Sequence, residues 1–187
     1  MIELAIVLVI VGIILAAVLK GEDVIRGARH KNFINEVGRN FPTTAFMVLD
    51  WQGRLPGANK DNGLITLNPK TDIGMMQLAH SPDPVKQYGS SLFYIFYGNE
   101  GGKNIIVVLP DTTGGAFDKE QITFLEALDV AYDPSPDATD GQVRGTVTAP
   151  AAVSTAAWLA TYTSTPAFSA YQANTTKALI YYFDKKL

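Results

Sequence analysis

The chain has 187 residues, 47% of them hydrophobic, with a net charge of −3 and a pI near 5.3. That balance leaves no basic stripe for general nucleic-acid binding. Cysteine is absent, which excludes disulfide staples, thiolate metal sites and a cysteine nucleophile.

Glu3 is followed by sixteen residues, 4–19, that contain only aliphatic side chains and Gly12. As a helix this run is about 24 Å long. Met1 and Ile2 bring it nearer to the hydrocarbon thickness of a bilayer. A carboxylate at mid-bilayer costs about 2.5 to 3.5 kcal/mol, so Glu3 requires a partner. A secretory signal peptide would carry basic residues before the run and a small-residue cleavage site after it, and neither is clean here. Lys20, Arg26, Arg29 and Lys31 all follow the run, an awkward order for a plain signal anchor. From Lys20 onward charged residues alternate with Val24, Ile25, Ala28, Ile34 and Val37, which predicts an amphipathic continuation that faces a domain. Gly12, Gly21, Gly27 and Gly38 each weaken the helix by about 1 kcal/mol. Pro42 predicts a kink near residues 40–42. The whole element, to about Asp50, would be about 75 Å long.

Ile2-Glu3-Leu4 at the head of an aliphatic helix resembles the type IV pilin and type II secretion pseudopilin class. Mature members of that class typically begin Phe-Thr-Leu-Ile-Glu-Leu. The resemblance implies a leader and two mature residues ahead of Met1. It implies an α+β, pilin-like fold: a long N-terminal α-helix packed on a C-terminal antiparallel β-sheet. Residues 1–50 would then be membrane anchor and filament core, and residues 51–187 a globular head. Glu3, Leu4, Val7, Ile10, Val11 and Ile14 become the candidate assembly residues, with Glu3 paired to the N-terminal amine of a neighbouring subunit. The partners implied are further copies of the chain, the inner membrane before assembly, and a pilus or secretion assembly machinery. Many members carry a proline near the position of Lys20, and this chain does not. Leu55-Pro56-Gly57-Ala58 resembles a Leu-Pro-Gly-Asp turn that follows the long helix in such proteins. Ala58 stands at the Asp position, so any capping or ion role of that Asp is lost. Physically the segment is a helix stop followed by a tight turn.

Residues 59–88 are polar and turn-rich, with a short strand expected at 64–67 and a helical turn at 75–79. Residues 91–97 (SLFYIFY) and 104–109 (NIIVVL) are the clearest strands, joined as a hairpin through residues 98–102. The aromatic run Phe93, Tyr94, Phe96, Tyr97 is expected to be sheet core and helix contact, since aromatics are ordinary strand residues. Residues 118–129 predict a helix with Asp118 and Gln121 as a capping box and Ile122, Leu125 and Leu128 buried. Residues 129–145, an Asp-rich, Gly-containing turn followed by Val143-Arg144, resemble a passage of some prepilin-like proteins, which implies a strand after that pair. Asp133, Asp137 and Asp140 are candidate oxygen ligands for calcium, as in a loop of some major pseudopilins; the competing reading is a set of Asp-initiated turns in solvent. Residues 150–174 are a decorated loop, an exposed patch or a helix over 152–160. Residues 178–183 (ALIYYF) predict a closing strand that adds to the hairpin, with charge at 184–186.

No P-loop, dinucleotide fingerprint, His-rich metal spacing or nucleophile elbow is present in the sequence. His30 and His80 are far apart, and His30 is expected to be solvated or to face another subunit. The expectation is a structural filament subunit rather than an enzyme. The alternatives are a minor pilin or secretion pseudopilin, and a membrane-anchored binding module or adhesin.

Overall fold

The computed structural model describes residues 2–76, 82–133 and 137–183. The expected turn at 75–79 falls largely outside them, as do His80 and the charged residues 184–186.

A long N-terminal α-helical rod packs against a sheet in an α+β arrangement. Helix α1, Ile2–Asn35, passes through a π-helical turn, Glu36–Asn40, into α2, Phe41–Gln52. The kink signal of Pro42 is thus met by a wider turn and not by a break. Proline removes one donor and crowds the carbonyl of the preceding turn; a π turn is the local adjustment that accommodates such a residue. The buried side of the rod is Phe33, Val37, Phe41, Ala45 and Val48, all at 0% exposure. Three successive spacings of four would drift by about 120° on an ideal α-helix, and the π turn keeps them on the sheet. The expected stripe is corrected at its start, because Val24 and Ile25 are exposed and burial begins at Phe33. The Phe33 ring meets those of Phe93, Phe124 and Tyr88 at centroid distances of 4.8, 5.6 and 5.8 Å.

The rod stops at Gly53, whose φ of 72° places it in the left-handed region and whose N–H donates to the Leu49 carbonyl. The expected strand at 64–67 reduces to an isolated bridge between Ala58 and Ile65. A helix, α3, instead forms at Pro69–Met75, earlier than the expected turn, with the Asn68 side chain accepting from the Thr71 N–H.

The sheet has seven strands: β1 Val85–Tyr88, β2 Ser91–Glu100, β3 Lys103–Leu109, β4 Val143–Thr146, β5 Ala152–Ser154, β6 Leu159–Thr161 and β7 Ala178–Tyr181. Their order is β4-β7-β3-β2-β6-β5, and β1 also pairs β2. All pairs are antiparallel except β2 with β6. The hairpin turn is tighter than expected. Gly98, Asn99 and Glu100 remain in β2, and only Gly101 and Gly102, with φ of 55° and 78°, make the turn. The helix expected at 152–160 is overturned: those residues form the β5–β6 hairpin. The closing strand lies inside the sheet, between β3 and β4.

Helix α4, Lys119–Tyr132, carries the expected Asp118–Gln121 capping box and runs three residues past the expected end. Phe93, Ile95, Tyr97, Ile106 and Val108 face the rod and α4 side; Phe96, Ile105, Val107 and Leu109 form a second core on the other face. Burial on both faces explains why β3 reads as a continuous apolar run.

Candidate functional site

The part of the molecule without a covering surface is the first half of the rod. Every residue from Ile2 to Lys20 is exposed. The most apolar 18-residue window has a mean hydropathy of 3.1 and is 0% buried, and the helix is long and apolar enough to cross a membrane. Leu4, Val7, Ile10, Val11 and Ile14 all stand in the open, at 45 to 71% exposure. On a helix of 3.6 residues per turn these five and Glu3 fall within a sector of about 120°. The remaining sides carry Ile6, Leu8, Val9, Ile13 and Leu15, also exposed. A helix that is apolar all round belongs in a bilayer or inside a large assembly. Glu3 lies in the first turn of α1, where a carboxylate is favoured by the helix dipole. No atom approaches within 4 Å of the Cβ position at Gly12, Gly21 or Gly27, so contacts within the chain do not require those glycines.

His30, expected to be solvated or to face another subunit, is half-buried against α4. Its ring stands edge-on to Phe124 at 4.4 Å and its Nε2 lies 3.2 Å from the Thr123 hydroxyl, so it joins α1 to α4.

The three candidate calcium ligands are not brought together. Both Asp133 oxygens accept from the Gln142 N–H at 2.9 Å, and one also accepts from the Val143 N–H at 2.9 Å. Gly141, at φ 84°, passes so close that a Cβ there would meet the Asp133 carboxylate. Asp137 accepts from the Thr139 hydroxyl, the Thr139 N–H and the Asp140 N–H. These bonds, that of the Thr139 hydroxyl foremost, hold its carboxyl below the usual range. Asp140 is mostly exposed, 3.5 Å from Arg144. Among the described residues no three His, Asp or Glu side chains are placed to hold a metal. Asp137 initiates a local turn, whereas Asp133 is buried and ties the end of α4 to the start of β4.

Two further carboxylates escaped the sequence reading. Asp72 accepts from the Gly57 N–H at 2.7 Å and pairs with Arg54 at 2.8 Å, while Arg54 also donates to the Ala58 carbonyl. A carboxylate from α3 thus secures the Leu55-Pro56-Gly57-Ala58 turn. Asp129 is 1% exposed and lies beside the Tyr171 hydroxyl and the Asp133 carboxylate. Burial first, and then the neighbouring Asp133, push its carboxyl up to about 7. The only sequence signal for Asp129 was an acid at the end of an expected helix, and Asp72 lay in a stretch expected to be turns.

No family model, curated protein or solved structure matches the chain.

Proposed function

We propose that the chain is a structural subunit of a pilin-like extracellular filament, held in the inner membrane by residues 2–19 before assembly and polymerising through them afterwards. The observation that carries this reading is the bare apolar rod with one acid near its tip. Thirteen large aliphatic side chains between Ile2 and Leu19 are exposed. Covering each is worth about 1.5 to 3 kcal/mol, or about 20 to 40 kcal/mol together. That exceeds the whole stability of a typical domain, about 5 to 15 kcal/mol, so the rod demands lipid first and neighbouring rods next. Glu3 would lose solvation among them, and the N-terminal amine of an adjacent subunit is the partner that the resemblance implies. A buried carboxylate without one is strongly destabilising.

The test is assembly of Glu3→Gln and Glu3→Ala in cells. Both variants should keep the folded head and membrane insertion, yet yield few fibres after shearing and negative-stain microscopy. Wild-type fibre yield from either variant would overturn the pairing. A wild-type chain that never enters fibres would favour a membrane-anchored binding module, and a trace component of fibres would favour a minor pilin or secretion pseudopilin.

A further inference from the structure

A groove of about 570 Å³ lies between α1 and α4, just beyond the end of the apolar run. Its lining is mixed. Ile25, 53% exposed, gives it an apolar wall, and Arg26, Arg29 and Lys119 give it positive charge. The ion pairs among the described residues are Arg54–Asp72, Lys86–Glu36 and Arg144–Asp140, so all three groove cations are left over. Glu22 and Glu120 also line the groove, and Glu120 accepts from the Ser90 hydroxyl at 2.7 Å. With His30 neutral, three cations against two carboxylates leave one net positive charge.

Arg26 and Arg29 lie seven and ten residues beyond Leu19, about 10 and 15 Å along the helix axis. Helical side chains lean toward the N-terminus, and long basic stems reach back to keep their heads at a polar boundary. On that tendency the Arg26 head leans toward the end of the apolar run, whereas the Arg29 guanidinium lies against Gly89, in the turn between β1 and β2. The polar layer on each side of a bilayer is about 5 to 8 Å thick, so when residues 2–19 span the membrane the Arg26 side chain, leaning back, reaches that layer and the groove lies at its outer edge.

We infer that this groove holds the phosphodiester of an anionic phospholipid, with the lipid tails lying along Ile25 and the rod. One negative charge balances the one net positive charge of the lining. Two guanidinium forks spaced three residues apart suit phosphate oxygens better than point charges do. The inference rests on the membrane placement proposed above.

The experiment uses the full chain in detergent micelles, with bound lipid counted by native mass spectrometry. Phosphatidylglycerol is compared with phosphatidylcholine of the same acyl chains, and sodium phosphate is added as a competitor. Phosphatidylglycerol should bind at least tenfold better, and free phosphate should not displace it. Arg26→Gln with Arg29→Gln should weaken phosphatidylglycerol by about 25-fold, about fivefold for each charge removed. The double Lys variant, which keeps the charges and loses the forks, should recover only part of that loss, and all forms should insert equally into phosphatidylcholine vesicles. Equal binding of the two lipids, an undiminished preference in the double Gln variant, or displacement by free phosphate would each overturn the inference while leaving the filament reading intact. Failure of the wild-type chain to enter phosphatidylcholine vesicles would overturn both.

Discussion

Gly98 lies where three strands meet, and Gly98→Ala tests that junction. In β2 it pairs with Ile105 of β3 on one side and Ala160 of β6 on the other. A Cβ at this position would run into the Ala160 carbonyl oxygen, with the Ala160 carbonyl carbon at 3.2 Å. The obstacle is backbone, so no rotamer change relieves it; β6 has to move. Overpacking of this kind costs about 1 to 3 kcal/mol. Moving β6 also loosens the bond from the Tyr97 N–H to the Trp158 carbonyl at 3.0 Å and the next bond of that ladder, at about 1 kcal/mol each. The reduced freedom of alanine in the unfolded chain returns about 0.5 to 1 kcal/mol. The net loss is about 2 to 4 kcal/mol, which lowers the melting temperature by about 4 to 16 °C for a chain of this size. Thermal unfolding of the full chain in detergent reads the shift, and amide exchange over residues 159–161 should become faster. A variant within about 0.5 kcal/mol of wild type, with those amides equally protected, would refute the reasoning and return Gly98 to the hairpin turn.

Phe33→Ala removes the first buried residue of the rod and should cost about 3 to 5 kcal/mol, with protease sensitivity rising along residues 20–35 before the sheet unfolds. Asp72→Ala should cost about 1.5 to 3 kcal/mol by stripping a charge-assisted bond from the Gly57 N–H, seen as a lowered denaturation midpoint at unchanged slope. For Asp129 the folded chain binds the proton more tightly than the unfolded chain, whose carboxyl titrates near 4. Stability should therefore fall as pH rises from about 4 to about 7. Asp129→Asn should flatten that stretch of the pH–stability curve and be more stable than wild type above pH 7; an unchanged slope would contradict the burial argument. Chelating calcium should leave the melting temperature unchanged, because the Asp133 and Asp137 oxygens already accept backbone N–H groups; calorimetry with and without chelator reads it.

The parts of the fold that could be read in advance were those in which local chemistry and tertiary demand agree. β2, β3 and β7 are dense in β-branched and aromatic residues because both of their faces are buried. The Asp118–Gln121 box is a local hydrogen-bond pattern and needs no distant partner. Elements set by distant contacts were missed. Ala152–Ser154 and Leu159–Thr161 sit in an alanine-rich stretch that favours helix by propensity, yet β2 recruits β6 and a left-handed Trp158, φ 58°, turns the corner. Gly98 resembled a turn residue because sequence does not show a second strand arriving beside it. Val24 and Ile25 read as core because spacing alone does not tell a side packed on a sheet from one that is left bare. The groove between α1 and α4 left only a faint trace, two arginines three residues apart, since Lys119 reaches it from more than eighty residues away. Asp72 left no sign of its partner, because the turn it secures lies fifteen residues upstream.

The absence of a break between rod and head has a mechanical consequence. The first fully buried residue, Phe33, stands thirty positions from Glu3, a lever arm of about 45 Å. Tilting such an arm by about 5° sweeps its tip sideways by about 4 Å, the full reach of an ion pair. The head alone therefore cannot aim Glu3 at anything. Only contacts made along the shaft of the lever can fix where the acid points, and one carboxylate at the far end can report whether every turn behind it is correctly seated.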